Sequence, residues 1–284
     1  MISRFERQLP LFGAAGQRLL RQAHVAIVGL GGIGSHVNQQ LSYLGVGQLT
    51  LLDGDVVEDT NLNRLIGGTQ TDVLAATPKV FVAERLTKSI DPDIKVTAHQ
   101  GSAATTEAVA LLANTTFVIG CLDHDGPRLA LLTICTALRK PYLDVATDIS
   151  PQDSVYGGRV IFDGGSSGCL YCLNQLDQGE VRRWMSTDEA IASEDRLYGR
   201  RAAGPSPSVV SLNGVLASVA CMEFMAETTG LRPARRWLEY DGQSGKLRVD
   251  TSSPAPNCPY CFGPQSDAVD SLARLLRLVP TRQQ

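Results

Sequence analysis

The stretch VAIVGLGGIGSHVNQQLSYLGVGQLTLLDGD, residues 25–55, decides the fold class of this chain. It reads as an apolar strand, a glycine-rich turn, a helix and a second apolar strand that ends in acidic residues. Strands that are apolar throughout are typical of a parallel sheet covered on both faces. The turn satisfies the pattern G-x-G-x-x-G at Gly29, Gly31 and Gly34. The stretch therefore predicts the first unit of a nucleotide-binding α/β fold.

Helices and strands alternate along the chain after this unit. Apolar periodicity predicts helices over residues 35–44, 79–89, 105–113 and 127–138, and strands over residues 95–99, 117–120 and 142–145. Alternation at this spacing predicts a Rossmann-like α/β fold with a doubly wound, mainly parallel sheet. A strand at 155–162 and a hairpin within 236–249 fall outside the alternation and predict an antiparallel C-terminal extension.

The remaining segments frame this sheet. A short helix is predicted over residues 12–22 and an apolar helix over 208–228. Between them, residues 176–207 are polar, charged and rich in glycine and proline, which predicts a mobile functional loop. The tail over 266–279 predicts an amphipathic helix packed on its own domain, with these apolar residues on one side: Val269, Leu272, Leu275, Leu276 and Val279.

The composition is that of an ordinary globular protein. The chain has 284 residues, of which 43% are hydrophobic and 19% charged, and its formal net charge is −3. This charge provides no general attraction to nucleic acid or to an anionic membrane. Residues 1–10 lack the apolar core of a secretory signal, and no apolar run approaches the roughly 18 residues of a membrane span. We therefore expect a cytoplasmic protein.

The acid at the end of the second strand indicates a ribose contact. Asp53 lies 19 residues after the last glycine of the turn, where a carboxylate accepts hydrogen bonds from ribose hydroxyls. The glycines allow phosphate to approach the backbone, and the following helix offers its N-terminal N–H groups. These features alone are compatible with a nicotinamide or flavin oxidoreductase, because a glycine motif discriminates poorly between nucleotides.

The residues that follow favour a triphosphate instead. Asn61, Asn63 and Arg64 come shortly after Asp53 and Asp55 and supply amide and guanidinium groups suited to ribose and phosphoryl oxygens. A further cation and a further acid lie later in the chain. Lys79 begins a predicted helix, and Asp123 lies near the end of a predicted strand. A lysine there can neutralise a leaving pyrophosphate, and a carboxylate there can hold Mg²⁺.

Four of the seven cysteines form two Cys-x-x-Cys pairs: Cys169, Cys172, Cys258 and Cys261. A single pair could be redox-active, but two pairs in a reducing compartment favour one tetrahedral site for structural Zn²⁺. The other three, Cys121, Cys135 and Cys221, lie in apolar patterns and are expected to behave as small buried hydrophobes.

The order of these motifs resembles the ThiF/MoeB/HesA family, relatives of the ubiquitin-activating enzymes. The matching motifs are G-x-G-G-x-G, D-x-D, N-L-N-R, P-K, C-x-D followed by an arginine, and the two cysteine pairs, and the resemblance runs from Arg4 to Cys261. It implies an adenylation domain over residues 1–265, with a crossover loop at 176–207 and a C-terminal helix or tail over 266–284. It also implies an ATP-dependent adenylyltransferase that activates the C-terminal carboxylate of a ubiquitin-like or sulfur-carrier protein ending in Gly-Gly, with release of pyrophosphate.

The resemblance assigns roles to residues of this chain. Asp53 is implied to hold the ribose, Asp123 the magnesium ion, and Arg128 to support that ion's site. The segment RFERQ, residues 4–8, places Arg7 where the family extends an arginine to the γ-phosphate of a neighbouring subunit, which implies a homodimer. The implied catalytic residues are Arg7, Arg64, Lys79 and Asp123. The implied nucleotide-binding residues are Gly29, Gly31, Gly32, Gly34, Asp53, Asp55, Asn61, Asn63, Arg64, Lys79, Asp123 and Arg128.

Three departures from the family pattern qualify this prediction. The loop at 176–207 has no cysteine, so the adenylate is expected to pass to an external nucleophile, such as a rhodanese-type persulfide protein or a conjugating enzyme. The same absence leaves open the adenylation of a peptide in natural-product biosynthesis, or a non-catalytic family member. His124 stands where the family usually has asparagine, and the loop between Arg64 and Lys79 is slightly longer.

Overall fold

A computed structural model describes residues 4–150, 154–164, 168–187, 189–192, 207–251, 255–261 and 267–276. Its helices are α1 (Leu9–Gln22), α2 (Gly32–Leu44), α3 (Gln70–Leu74), α4 (Lys79–Ile90), α5 (Thr106–Ala113), α6 (Asp125–Ala137), α7 (Gln178–Trp184), α8 (Val210–Thr229) and α9 (Ala268–Leu276). Its strands are β1 (His24–Val28), β2 (Gln48–Asp53), β3 (Lys95–Gln100), β4 (Phe117–Gly120), β5 (Tyr142–Ser150), β6 (Val155–Asp163), β7 (Trp237–Asp241) and β8 (Lys246–Val249).

All eight strands form one sheet in the order β3-β2-β1-β4-β5-β6-β7-β8. The pairs from β3 to β5 are parallel, whereas β6, β7 and β8 pair antiparallel with their neighbours. The strand order reverses between β1 and β4, which creates the crevice where ligands bind in open α/β sheets. The predicted parallel sheet and its antiparallel extension are both confirmed.

The sheet is covered on both faces, as its apolar strands require. On one face α2, α4 and α8 bring Leu41, Val80 and Phe224 into a core that includes β1 and β2. On the other face α5, α6 and α9 bring residues such as Leu112 and Leu131 against the same strands. Each such side chain, when buried, stabilises the fold by about 1.5–3 kcal/mol, so this two-sided burial holds the carboxyl edge of the sheet in place.

From the sequence we expect no apolar run near the length of a membrane span, but among the described residues the helix α8 reaches that length. Val210–Thr229 has 20 residues and a mean hydropathy of 1.2, so by length and composition it could cross a membrane. In this structure Leu216, Ala217 and Phe224 of α8 are fully or almost fully buried in the sheet core. These buried residues of α8 pack as those of a core helix, between the sheet and neighbouring helices.

The tail and the loop are partly described. α9 packs on α5 and α6, and its Leu272 is 1% exposed, as expected for a helix that belongs to its own domain. The predicted apolar residue Val279 lies outside the described residues. Within the loop at 176–207, the sequence did not anticipate α7 (Gln178–Trp184), while residues 188 and 193–206 lie outside the described residues.

Candidate functional site

A cavity of about 1510 Å³ opens along the carboxyl edge of the sheet. Its walls come from the ends of β2, β1, β4 and β5 and from Arg159 in the middle of β6. Ten of the residues singled out from the sequence line it: Gly29, Gly31, Gly32, Asp53, Asp55, Asn61, Arg64, Lys79, Asp123 and Arg128. The fold thus gathers residues from distant segments into one depression.

The glycine turn is shaped by contacts that exclude a side chain. Gly29 has a φ of +87°, and a Cβ there would lie 2.7 Å from the carbonyl oxygen of Cys121. A Cβ on Gly34 would lie 1.8 Å from the carbonyl oxygen of Gly29, so Gly34 lets the start of α2 pack on β1. Gly31 faces open space, with no atom within 4 Å of a Cβ built on it. The turn therefore leaves room for a ligand at the N-terminus of α2.

Asp53 is held rigidly at the end of β2. Its Oδ2 accepts a hydrogen bond of 2.6 Å from the N–H of Leu30, and its Oδ1 accepts one of 2.8 Å from the N–H of Asp55. Burial raises the pKa of this carboxyl, against the opposing effects of Lys79 and of the two N–H donors. The two N–H groups fix the carboxylate toward the cavity, in the position expected of a ribose acceptor.

Lys79 is already paired with an acid. Its Nζ lies 2.6 Å from Oδ2 of Asp55, and its backbone N–H donates to the carbonyl of Asp55 at 3.0 Å. The lysine is 9% exposed and begins α4, whereas the Asp55 side chain is 72% exposed. Asp55 therefore holds the ammonium group at the wall of the cavity.

Arg64 is positioned by a short helical turn at residues 59–61. Its Nη1 donates to the carbonyl of Thr60 at 2.6 Å and to Oδ1 of Asn63 at 3.0 Å. Asn61 accepts from the N–H of Glu58 at 3.1 Å and lines the cavity, while the exposed Asn63 does not. The structure thus gives Asn63 the contact that orients Arg64, and places Asn61 and Arg64 at the cavity.

Asp123 follows the end of β4 and is exposed to the cavity. The next residue, His124, has its Nδ1 2.9 Å from Oε1 of Glu180 in α7. This hydrogen bond is the main reason why the pKa of His124 rises to about 9, in spite of partial burial, and Asp123 adds to the effect. The same oxygen of Glu180 accepts from the N–H of Asp125 at 3.1 Å, so α7 is tied to the start of α6 beside Asp123.

Arg128, in the first turns of α6, is enclosed by the carboxylates of Asp125 and Asp144. Its Nε donates to Asp144 at 3.1 Å, its Nη2 also bonds Asp144, and its Nη1 donates to Asp125 at 2.5 Å. Burial disfavours its charge, but the two carboxylates outweigh burial and raise the pKa of Arg128. Arg128 lines the cavity, but its guanidinium is committed to protein groups, which makes it a support for the loop that carries Asp123.

The four paired cysteines converge at one point. The sulfur atoms of Cys169 and Cys258 are 3.6 Å apart, those of Cys172 and Cys261 3.8 Å, and those of Cys169 and Cys172 4.0 Å, and all four lie within 4.8 Å of one another. Four sulfurs bound at about 2.3 Å to one tetrahedral zinc ion lie about 3.8 Å apart. The sulfur positions therefore fit a zinc ion that ties residues 258–261 to 169–172.

The other three cysteines have thiols of raised pKa; Cys135 and Cys221 are buried, and Cys121 is half-buried at the cavity wall. Burial raises the pKa of Cys121 and Cys135 well above the ordinary value and that of Cys221 to about 12. A raised pKa keeps these thiols protonated at neutral pH, which disfavours attack because the thiolate is the reactive form.

Three predicted residues do not line the cavity, namely Arg7, Gly34 and Asn63, and several site residues were not predicted. Arg7 is exposed and does not line the cavity of its own chain. The residues missed are Asp125, Asp144, Glu180 and Asn213. Asp144 could have been noticed, because an acid within the apolar strand at 142–145 requires a buried partner. Glu180 and Asn213 gave no sequence signal, since both reach the site from segments distant along the chain.

Comparison with known proteins shows the family to which this chain belongs. The ThiF family model matches residues 5–260. The chain is 30% identical over 271 residues to the sulfur carrier protein ThiS adenylyltransferase of Escherichia coli (strain K12), covering 94% of this chain and 97% of that protein. It is also 30% identical over 263 residues to the molybdopterin-synthase adenylyltransferase of the same organism, covering 91% and 95%. It spans 53% of the adenylyltransferase and sulfurtransferase MOCS3 of Drosophila yakuba, at 28% identity.

Solved structures share the fold. E. coli MccB with ATP superposes with a TM-score of 0.71 at 20% identity, covering 92% of this chain and 75% of that one. The microcin C7 biosynthetic enzyme MccB in complex with N-formylated MccA gives a TM-score of 0.74 at 19% identity, covering 92% and 75%. PaaA gives a TM-score of 0.65 at 22% identity, covering 87% and 81%.

Proposed function

The chain belongs to the ThiF family, and from that premise we propose that it is an ATP-dependent adenylyltransferase. Its substrate is the C-terminal carboxylate of a ubiquitin-like or sulfur-carrier protein that ends in Gly-Gly. The carboxylate attacks the α-phosphate of ATP, the bond to the β-phosphate breaks, and the products are an acyl adenylate and pyrophosphate. The observation that carries the proposal is the placement of Asp53, Arg64, Lys79 and Asp123 around one cavity at the point where strand order reverses.

Each group in the cavity has a part in this reaction. Asp53 accepts from the ribose, and the start of α2 offers N–H groups to phosphate. Arg64 and Lys79 neutralise the charge that accumulates on the leaving pyrophosphate. Asp123 would hold Mg²⁺, which supplies further neutralisation of phosphate charge when bound. Arg128 keeps the Asp123 loop in place through Asp125 and Asp144.

A second copy of the chain completes the site in this proposal. The exposed side of α8 includes Val215 and Met222, seven residues apart and therefore on one helix face, and Met222 is 52% exposed. Tyr43 of the neighbouring α2 is 63% exposed. These apolar side chains support a homodimer, in which Arg7 of one subunit would reach the phosphates of the other.

The dimer proposal has a direct test by complementation. Arg7→Ala and Asp123→Ala dimers should each be inactive. Mixed and re-equilibrated subunits should recover about a quarter of wild-type activity, because half of the dimers then contain one intact site. No recovery in demonstrated heterodimers would contradict the trans arrangement.

The positions of the cysteines bear on which group accepts the acyl moiety of the adenylate. The loop at 176–207 has no cysteine, Cys135 and Cys221 are buried, and the half-buried Cys121 has a thiol whose pKa is raised by burial. We infer that an external nucleophile, from a rhodanese-type or conjugating partner, takes the acyl group. The zinc ion is structural in this scheme because four thiolates fill its coordination. The cytoplasmic location predicted from the sequence accords with reduced thiols and remains a prediction.

The absence of a loop cysteine also supports a second candidate, adenylation of a peptide in natural-product biosynthesis. The two candidates share the chemical step and differ in the size of the acyl substrate. Mass spectrometry of the AMP-modified species formed in a lysate with labelled ATP would separate them. A small folded protein of ubiquitin size supports the first candidate, and a free peptide supports the second.

The enzymatic step is tested by exchange of labelled pyrophosphate into ATP in the presence of the acyl substrate trapped in this way. Exchange should require that substrate and should be abolished by Asp123→Ala and by Arg64→Ala. Asp59→Asn, an exposed acid in the same loop, is the matched control and should retain exchange. Unchanged exchange in the Asp123 and Arg64 variants would overturn the site assignment.

A further inference from the structure

Asn213 is a buried polar side chain in an apolar helix. It lies in the first turns of α8, between the buried residues Leu212 and Leu216. Only 1% of Asn213 is exposed, and it lines the cavity that Asp53 and Asp123 also line. A buried amide costs free energy unless its hydrogen-bonding groups have partners. The partners of Asn213 therefore show what this residue does in the site.

Within the part of the chain that the structure describes, the side chain of Asn213 has one hydrogen-bonding partner, which is Ser208. Its Nδ2 donates to Oγ of Ser208 at 3.0 Å, and its Oδ1 lies 3.5 Å from the same hydroxyl oxygen. The amide nitrogen of an asparagine carries two N–H groups. The contact with Ser208 uses one of them and orients the amide, so the second N–H is available to a ligand.

The amide of Asn213 packs on the glycine turn. A Cβ built on Gly32 would lie 2.2 Å from Nδ2 of Asn213 and 3.0 Å from its Cγ. Gly32 is the first residue of α2, and a helix N-terminus is where phosphate groups bind. The missing side chain of Gly32 therefore lets the amide nitrogen reach the start of α2, at the end that faces the cavity.

Gly32 also shows which part of the nucleotide lies nearest to Asn213. The same Cβ would lie 3.4 Å from Cδ of Arg64, so Asn213 and Arg64 flank one glycine. Arg64 is one of the two cations assigned above to the leaving pyrophosphate. The free N–H of Asn213 is thus placed among the groups that contact phosphate, on the Arg64 side of the turn.

We propose that the second side-chain N–H of Asn213 donates a hydrogen bond to a β- or γ-phosphate oxygen of ATP. This inference rests on the proposed function and adds a neutral donor from α8 to the contacts that Arg64 and Lys79 make with the pyrophosphate group. Asn213 suits this position because burial and the bond to Ser208 fix its amide before the nucleotide binds.

The test compares the binding of two ligands in the absence of the acyl substrate. Calorimetry measures Mg-ATP and 5′-O-sulfamoyladenosine, which keeps the nucleoside but lacks the β- and γ-phosphates. Asn213→Ala should weaken ATP binding about tenfold or more, since a hydrogen bond to a charged group contributes about a factor of ten to a hundred. Asn213→Asp has nearly the same shape and should weaken it further, because its carboxylate repels phosphate. Both variants should bind sulfamoyladenosine within about twofold of wild type.

Two further variants separate the phosphate contact from other effects. Asn114→Asp adds the same charge at an exposed position outside the cavity and should bind both ligands as the wild type does. Ser208→Ala removes the partner of the amide but retains the amide itself, so it should weaken ATP binding by no more than about threefold. A loss as large as that of Asn213→Ala would overturn the phosphate contact, because Asn213 would then act by fixing the chain at the end of the 176–207 loop.

A crystal structure of the wild-type protein with ATP gives a test that needs no variant to fold. It should place Nδ2 of Asn213 within about 3.2 Å of a β- or γ-phosphate oxygen, and a separation beyond about 4 Å would overturn the contact. Failure of the wild type to bind ATP would overturn the proposed function. Equal weakening of ATP and sulfamoyladenosine by Asn213→Ala would overturn the phosphate contact alone.

Discussion

The Nζ atom of Lys79 lies 2.6 Å from Oδ2 of Asp55, across a gap of 24 residues in the chain. The pair forms because Val56 and Pro78 make an isolated antiparallel bridge that brings the end of β2 to the start of α4. Lys79, which we propose contacts the phosphates, is thus oriented by an acid that lies two residues after the end of β2.

Replacement of Asp55 should leave the charge of Lys79 in place but remove the contact that orients its ammonium group. We expect Asp55→Asn to lower kcat for pyrophosphate exchange about tenfold, because loss of one orienting interaction costs about 1.4 kcal/mol in the transition state. The stability should change by less than about 1 kcal/mol, since the Asp55 side chain is 72% exposed. Steady-state kinetics and urea unfolding provide the two measurements, with Asp59→Asn as control. An unchanged kcat would show that the pair has no orienting role.

The buried group around Arg128 should be important for stability. Asp144→Asn leaves the enclosed guanidinium with one carboxylate in place of two, and loss of a buried partner costs about 3 kcal/mol. Asp148→Asn, four residues further along the same face of β5, removes an acid that is 67% exposed and should cost less than about 1 kcal/mol. Urea denaturation of both variants gives the comparison. A similar loss of unfolding free energy in both variants would contradict the view that burial makes the Asp144 contact the more important one.

The ion pair between Asp72 and Arg85 should make the stability of the protein depend on pH. Hydrogen bonds from Arg85, more than the opposing effect of burial, hold the pKa of Asp72 well below its ordinary value. A depressed folded-state pKa contributes stability above the unfolded value near 4, and this stability is lost as the pH falls through the folded value. Asp72→Asn should therefore be about 1 kcal/mol less stable than wild type at pH 7, a small figure because Arg85 is 53% exposed.

The difference between wild type and Asp72→Asn should shrink as the pH is lowered from 7 to 3. Urea midpoints across this range test it, with the exposed Asp93→Asn as control. A difference that stays constant or grows at low pH would contradict the assignment.

Metal removal should affect the C-terminal segment before the nucleotide site. We expect one zinc per chain, and Cys258→Ser should reduce the zinc content and lower the Tm by several degrees, because a structural site contributes directly to folding. Cys221→Ala, a buried thiol outside the cluster, should retain zinc. Elemental analysis and thermal unfolding measure both effects. Full zinc content in Cys258→Ser would exclude Cys258 as a ligand.

Local sequence signals predicted most of the fold. The strands and helices from β1 to β5 agree with apolar periodicity to within a few residues, and the glycine turn occupies the end of β1 with Gly29 at positive φ. The short helices α3 and α7 were not anticipated, because five- and seven-residue helices have too few turns to show a periodic pattern. The same limit hides the contribution of α7, whose residues 178–180 line the cavity.

The sequence by itself determined the fold class, the acids and cations available to the cavity, and the two cysteine pairs whose cluster fits a zinc ion. These depend on periodicity and spacing, which are local properties of the chain. Only the tertiary structure decided how the charges pair. It encloses Arg128 between Asp144 and Asp125, gives Lys79 to Asp55, and packs the buried amide of Asn213 on Gly32. Pairing and exposure depend on strand register and on contacts between distant segments, and no local pattern encodes them.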